Sequence, residues 1–220
     1  MSPRHIVAAA AIRVLLVDDH PALRAGLHSL LCAEPGIQVV ADLASGEEAN
    51  AWYRGHQVDV VVMDLSMEGY GGMEAIRRLA QFDPNVGILV YSVHATETML
   101  SRALALGALG YVTKASSTDV LIAGVREVAA RRGFVSPDLI PAMVQRHAAP
   151  ENSRLSLLGD REFQILLLTA QGQSVDHCAR TLNLSEKTIR NHLTRIKAKL
   201  EVANTAELTR LAIRAGLATA

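Results

Sequence analysis

The sequence predicts an α/β domain with a parallel sheet, followed by a small all-α domain. Up to about residue 133, five short apolar runs alternate with five stretches of helical length, which is typical of a parallel sheet covered by helices on both faces. Proline and polar residues then interrupt this pattern, and four further helical stretches complete the chain. The predicted divisions are an extension at 1–11, an α/β domain at 12–133, a linker at 134–156 and a helical domain at 157–220.

The five strands are predicted from apolar runs that are too short for helices and that lack the alternation of a half-exposed strand. Five strand–helix units of this size predict a flavodoxin-like sheet with the strand order 2-1-3-4-5. The predicted strands are Arg13–Val17, Val39–Ala41, Val58–Met63, Ile88–Tyr91 and Gly110–Thr113.

The helices between the strands are marked by proline and glycine at their ends. Pro21 suits the first turn of a helix, and Gly107 follows the last residue of another. The predicted helices are Pro21–Ala33, Gly46–Arg54, Gly72–Phe82, Thr96–Leu106 and Ser117–Arg131.

Aspartates follow two of the predicted strands directly. Asp18 and Asp19 come after the first strand and Asp64 after the third, where ligands bind in open α/β sheets. At ~5 Å and an effective dielectric constant of about 20, each pair of carboxylates repels by roughly 3 kcal/mol, so such a cluster needs a cation. Carboxylate oxygens favour Mg²⁺ over zinc. The alternative is two unrelated strand ends whose aspartates cap helices.

Two more strand ends carry polar side chains, Ser92 after the fourth strand and Lys114 after the fifth. The polar residues at these strand ends resemble those of the receiver domain of two-component response regulators. The shared series is an acid pair, an aspartate, a serine and a lysine at successive strand ends. The resemblance implies that a sensor histidine kinase phosphorylates Asp64 and that Lys114 and Ser92 contact the phosphoryl group. It implies that Tyr111 is a switch aromatic. It also implies a Mg²⁺ site formed by Asp18, Asp19, Asp64 and the Ser66 backbone carbonyl.

Two residues depart from the receiver pattern. Glu68 stands where proline is usual four residues after the acceptor, and Ala115 replaces the proline that usually follows the lysine. Glu68 adds an acid to an acidic site, so we hypothesise that it weakens Mg²⁺ binding or alters the lifetime of the acyl phosphate.

The rear of the chain predicts a helix-turn-helix. A short turn, Asn183-Leu184-Ser185, separates the second and third of four predicted helices, and Ser185 suits the N-cap of the third. The predicted helices are Asp160–Gln171, Val175–Leu182, Glu186–Leu200 and Thr205–Gly216.

The third of these helices has two distinct faces. At 100° per residue, one arc carries Ile189, Leu193, Ile196 and Leu200, and the opposite arc carries Lys187, Arg190, Asn191 and Thr194. Basic and amide side chains of this kind contact phosphates and base edges in a major groove. The alternative is an ordinary solvated charged face.

The distribution of charge favours contact with DNA over an ordinary solvated face. Residues 1–140 hold 11 Lys and Arg against 15 Asp and Glu, whereas residues 141–220 hold 11 against 7. A polyanionic partner therefore suits the rear domain better than the front one.

The rear domain resembles the LuxR-type helix-turn-helix, and the order of the two domains is that of the NarL/FixJ group of response regulators. The residues that carry this resemblance include Leu158, Arg161-Glu162, Gly172, Ala179, Thr188 and His192. By that resemblance, Arg190, Asn191 and Thr194 reach the groove, and Lys187 and Lys197 lie near phosphates. A homodimer on DNA is also implied. Asp176 departs from the pattern, because a lysine is common there.

These observations predict a DNA-binding response regulator that is switched by phosphorylation of Asp64 and is no enzyme beyond slow loss of its own phosphate. One alternative is a DNA-binding regulator with a degenerate receiver that works without phosphate. Another is a phosphatase with an aspartate nucleophile, for which the sequence offers no substrate-specificity cap. Cys32 and Cys178 fall in different domains, which suits a reducing cytoplasm, and no apolar run approaches the ~18 residues of a membrane span.

Overall fold

The computed structural model describes residues 10–67, 71–140, 154–155 and 157–218. The front domain is built on a parallel sheet with the strand order β2-β1-β3-β4-β5-β6. The predicted order of the first five strands is confirmed, and a sixth strand is added beside β5. The strands are β1 (Ile12–Val17), β2 (Ile37–Leu43), β3 (Val60–Met63), β4 (Ile88–Ser92), β5 (Gly110–Thr113) and β6 (Phe134–Val135).

Helices cover both faces of this sheet, and each face has its own apolar core. Successive side chains of a strand point to opposite faces, so Val14 and Leu16 join one cluster while Leu15 and Val17 join the other. Burial on both faces explains the continuous apolar runs in the sequence. The helices are α1 (Pro21–Ala33), α2 (Gly46–Tyr53), α3 (Gly71–Phe82), α4 (Glu97–Ala105) and α5 (Thr118–Ala129).

The sixth strand lies in the segment that the sequence assigns to the linker. Its two residues are only half buried, so no apolar run marks it. Parallel pairing with β5 holds it, and a 3-10 helix at Pro137–Leu139 follows. Most of the predicted extension and most of the predicted linker lie outside the described residues, so the domain bounds stay predictions.

The rear domain contains four helices among the described residues, as the sequence predicts. Side-chain oxygens of Ser174, Ser185 and Asn204 accept hydrogen bonds from backbone N–H groups in the first turns of the helices that follow them. Asn183 has a left-handed backbone (φ 51°) in the turn between the second and third helices. The helices are α6 (Asp160–Ala170), α7 (Val175–Thr181), α8 (Glu186–Leu200) and α9 (Thr205–Arg214).

The two domains touch where α6 lies against α3 and α4. Arg102 of α4 donates a hydrogen bond to the Leu158 carbonyl (3.2 Å), and its guanidinium lies 4.1 Å from the centre of the Phe163 ring. At the start of α3, a Cβ atom on Gly71 would lie 2.6 Å from Nε2 of Gln164. Helix α6 therefore packs closely beside the carboxyl ends of the strands. No helix within the described parts of the chain is long and apolar enough to cross a membrane.

Candidate functional site

Acidic side chains from two neighbouring strand ends converge. The strands β1 and β3 pair up to Val17 and Met63, and the residues that follow them, Asp18 and Asp64, are each only 1% exposed. One possible ligand atom from each of Asp18, Asp19, His20 and Asp64 lies within 4.8 Å of the others. The strand ends are thus adjacent, which is the arrangement that a shared ligand requires.

Lys114 reaches this cluster from the end of β5. Its ammonium donates to Oδ2 of Asp18 (2.7 Å) and to Oδ2 of Asp64 (2.9 Å). Burial alone would lower the pKa of Lys114, but the hydrogen bonds to these two carboxylates outweigh burial and raise it. Lys114 is also the only lysine before Lys187 in the sequence, so it is the one lysine ammonium that the front domain offers.

Asp64 itself is held in a defined orientation. Burial raises the pKa of Asp64 above its ordinary value, against the lowering effect of Lys114. The Ser66 amide donates to Oδ1 of Asp64 at 3.2 Å, which leaves Oδ2 facing Lys114. A Cβ atom on Gly72 would lie 2.0 Å from the Asp64 carbonyl oxygen, so α3 can begin this close to the site only with glycine there. Glu68, whose effect the sequence analysis singles out, lies outside the described residues.

Ser92 and Tyr111 lie on the side of the site that faces α4. Both are completely buried, and β4 and β5 place them on neighbouring strands. The Ser92 hydroxyl accepts from the His94 amide at 3.3 Å, and the Tyr111 hydroxyl donates to the His94 carbonyl at 2.7 Å. Burial raises the pKa of Tyr111, so its hydroxyl stays a donor. The segment between β4 and α4 is therefore bonded to the predicted switch aromatic.

The donor set of the acidic cluster fits a hard divalent cation. Carboxylate oxygens dominate it, and Asp19 is partly open to solvent, which leaves room for water ligands. His20 adds an imidazole that the sequence analysis did not include: its Nδ1 lies 2.8 Å from Oδ1 of Asp19. Its position directly after two aspartates was the signal that could have indicated it.

A cavity of about 300 Å³ lies between this site and the rear domain. Asp19, Ser66 and Met73 border it on one side, and Phe163 and Leu167 of α6 border it on the other. The rear domain therefore forms one wall of the space next to the acidic cluster.

The helix α8 presents the predicted basic face to solvent. Lys187, Arg190, Asn191 and Thr194 are exposed, and Lys197 is half exposed. The apolar arc is inside, with Ile189, Ile196 and Leu200 completely buried. Arg195 is a further exposed cation on this helix, outside the predicted set of DNA-contacting residues. On α7, Asp176 forms an exposed ion pair with Arg180, four residues along the same helix.

Two protein families match the two domains. The family "Response regulator receiver domain" matches residues 14–126, and the family "Bacterial regulatory proteins, luxR family" matches residues 156–212. The chain belongs to the LuxR-type response regulators. This response regulator therefore couples a receiver domain to a DNA-binding domain, as the sequence predicts.

Relatives of this response regulator match it over nearly their whole length. The chain is 38% identical over 211 residues to response regulator UvrY of Escherichia coli (strain K12), which covers 95% of this chain and 97% of that protein. It is 34% identical over 211 residues to response regulator GacA of Pseudomonas aeruginosa, with 95% and 99% covered.

Solved structures of response regulators have the same fold. A LuxR-family regulator from Aurantimonas sp. SI85-9A1 is 37% identical and has a TM-score of 0.61, covering 64% of this chain and 100% of that one. The structure of an RcsB–DNA complex is 25% identical and has a TM-score of 0.67, with 91% and 98% covered. The family assignment agrees with a regulator of transcription and not with a classical enzyme.

Proposed function

We propose that this response regulator accepts a phosphoryl group on Asp64 from a sensor histidine kinase, and that phosphorylation changes how its rear domain binds promoter DNA. The observation that carries this proposal is the position of Lys114, which bonds the buried carboxylates of Asp64 and Asp18 together. A kinase partner follows from the receiver family, because such domains take their phosphoryl group from a phosphohistidine.

The proposed reaction is a transfer between two side chains. An oxygen of the Asp64 carboxylate attacks the phosphorus, the new O–P bond forms, and the N–P bond to the donor imidazole breaks. The Ser66 amide holds the other carboxylate oxygen, so one oxygen is free to attack once Lys114 turns towards the phosphoryl group. Lys114 then neutralises charge on the phosphoryl oxygens, and the Ser92 hydroxyl donates to one of them.

Four groups would hold a Mg²⁺ ion here: the carboxylates of Asp18, Asp19 and Asp64 and the backbone carbonyl of Ser66. The ion would supply positive charge that draws the phosphoryl oxygens to the carboxylate. The carboxylate donor set supports this choice of metal.

We propose that the signal leaves the site through Ser92 and Tyr111. When Ser92 turns to the phosphoryl group, its bond from the His94 amide is lost, and the Tyr111 hydroxyl is bonded to the carbonyl of the same residue. The change therefore reaches the segment that leads into α4, and α4 carries Arg102 against Leu158 and Phe163. Population shift between two packings of this region would alter how the two domains are docked.

On DNA, we propose that α8 enters the major groove. Its exposed face supplies Arg190, Asn191 and Thr194 for base edges and Lys187 and Lys197 for phosphates. The likeness to RcsB, whose structure has been solved with DNA, supports this assignment. We propose that two copies bind paired half-sites, as is usual for helix-turn-helix dimers. Promoter DNA as the proposed partner supports a cytoplasmic location for the protein.

The test is to incubate the protein with a small phosphodonor and Mg²⁺ and to map any added phosphoryl group by mass spectrometry. We expect one phosphoryl group on the native protein and on Asp119→Asn, which removes an exposed aspartate on α5, and none on Asp64→Asn. A native protein that gains none would favour the regulator with a degenerate receiver. Multiple-turnover hydrolysis of added phosphomonoesters would favour the phosphatase.

A further inference from the structure

The segment after α5 is attached to β5, the strand that Lys114 follows. β6 pairs with β5, and the Ser136 amide donates to the Tyr111 carbonyl at 2.9 Å. In the other direction, the Thr113 amide donates to the hydroxyl of Ser136, which is completely buried. Leu139 is also completely buried and belongs to the same apolar cluster as Tyr111. This segment is therefore a firmly packed part of the front domain.

Asp138 lies in this segment and bonds both sides of the turn around Lys114. Its Oδ2 accepts from the Thr113 hydroxyl, one residue before the lysine, and its Oδ1 accepts from the Ser116 hydroxyl at 2.8 Å, two residues after it. The two hydroxyls also lie 3.1 Å apart. Burial alone would raise the pKa of Asp138, but the hydrogen bonds from Thr113, Ser136 and Ser116 lower it, so the carboxylate is ionised at neutral pH.

We propose that Asp138 is a positioning residue for Lys114, an inference that rests on the role proposed for that lysine. The turn from β5 to α5 has only four residues, Lys114 to Ser117, before the helix begins at Thr118. A single carboxylate that bonds hydroxyls on both sides of Lys114 fixes the path of this turn. The path of the turn in turn sets where the ammonium meets Asp18 and Asp64.

The position of Asp138 in the chain gives this contact a second consequence. The chain continues from Leu139 towards the rear domain, so the same short segment holds the turn of the lysine and starts the connection between domains. A displacement of that connection would reach the turn of Lys114 through Asp138, beside the hydrogen bond that joins Ser136 to Tyr111.

Amine labelling tests this inference, because Lys114 is the only lysine before Lys187. Full-length native protein, Asp138→Ala and the matched control Asp119→Asn are treated with limiting acetic anhydride, and the labelling of Lys114 is measured by peptide mass relative to Lys187. Phosphorylation of Asp64 by acetyl phosphate with Mg²⁺ is followed in the same three proteins.

We expect Asp138→Ala to label several-fold faster at Lys114 and to be phosphorylated about tenfold more slowly, as misplacement of a catalytic group entails. Asp119→Asn should match the native protein in both. If either measurement is unchanged in Asp138→Ala, the inference is wrong, because a displaced turn must both free the amine and misplace it for phosphoryl transfer. Should Asp138→Ala fail to fold, Ser116→Ala removes one of the two bonds and is judged by the same two measurements.

The two proposals fail in different ways. A native protein that takes up no phosphoryl group counts against the proposed function. A native protein that is phosphorylated on Asp64, with an Asp138→Ala variant that equals it, counts against this inference alone.

Discussion

Lys114 donates a hydrogen bond to Asp64 over 2.9 Å, although the two residues stand at the ends of strands that are separated by β4. The same ammonium lies 2.7 Å from Asp18. One cation thus bonds two buried carboxylates, and the remaining negative charge of the cluster is left for a metal ion to complement.

Replacing Lys114 by glutamine should slow phosphorylation of Asp64 by about 100-fold, since one charged donor to the transferred group is lost. The measurement is the rate of phosphoryl uptake with acetyl phosphate and Mg²⁺. Lys187→Gln, on the exposed face of α8, removes a lysine far along the chain and should leave the rate unchanged. An equal rate in Lys114→Gln and native protein would exclude the lysine from the reaction.

The stability of the metal-free protein should depend on pH in a way set by Asp64. Its pKa is raised by burial, so the nucleophilic carboxylate is protonated at a higher pH than an ordinary aspartate. The folded state then binds this proton more tightly than the unfolded state, so the group's contribution to stability falls as pH rises through the window between the two pKa values. Urea unfolding of the metal-free protein between pH 4 and pH 8 should show this fall, and the fall should be smaller in Asp64→Asn. An equal dependence of stability on pH in native protein and Asp64→Asn would contradict this.

Arg102 should hold the rear domain against α4. Arg102→Gln removes a hydrogen bond to Leu158 and the contact with the Phe163 ring, which together stabilise docking by about 1–2 kcal/mol. We expect a larger radius of gyration in small-angle X-ray scattering than for native protein. Arg132→Gln, which breaks an exposed ion pair with Glu127, is the control and should not change the radius. An unchanged radius of gyration in Arg102→Gln would contradict this role, because the other contacts between the domains would then be enough to hold them together.

Substitutions on α8 should affect DNA binding in two different ways, according to whether the side chain contacts bases or phosphates. Asn191→Ala should weaken binding to a cognate promoter by about 1–3 kcal/mol while leaving random DNA almost unaffected, because base contacts carry specificity. Lys187→Ala should weaken both and reduce the salt dependence by about one phosphate contact. Fluorescence anisotropy over a range of salt concentrations measures both. Arg210→Ala on α9 is the control and should bind both DNAs as the native protein does. If Arg210→Ala loses as much affinity as either α8 variant, α8 is not the helix that reads the DNA.

The sheet and the rear helices were predictable because their signals are local. Fully buried strands such as β3 require unbroken apolar runs, and the N-cap of α8 is an ordinary serine at Ser185. The strand β6 was not predictable, since its two residues are held by pairing along one edge of β5 and by no apolar run of their own.

The residues of the candidate site likewise fall into a group that the sequence predicts and a group that it does not. Asp18, Asp64 and Lys114 each follow a strand directly, so the topology of the sheet brings them together. Asp138 lies 24 residues after Lys114 in a stretch that the sequence assigns to the linker, and its contact with the lysine turn depends on β6. The docking of Arg102 on Phe163 likewise joins two domains, and nothing in the sequence of α4 indicates its partner.

A phosphoryl group on Asp64 should change how α8 binds DNA. The most direct test compares the promoter affinity of native protein and Asp64→Asn, each with and without prior treatment with acetyl phosphate and Mg²⁺. We expect treatment to change the affinity of the native protein, in step with the phosphorylated fraction measured by intact mass, and to leave Asp64→Asn unchanged. Equal affinities of the phosphorylated and unphosphorylated native protein would contradict the account.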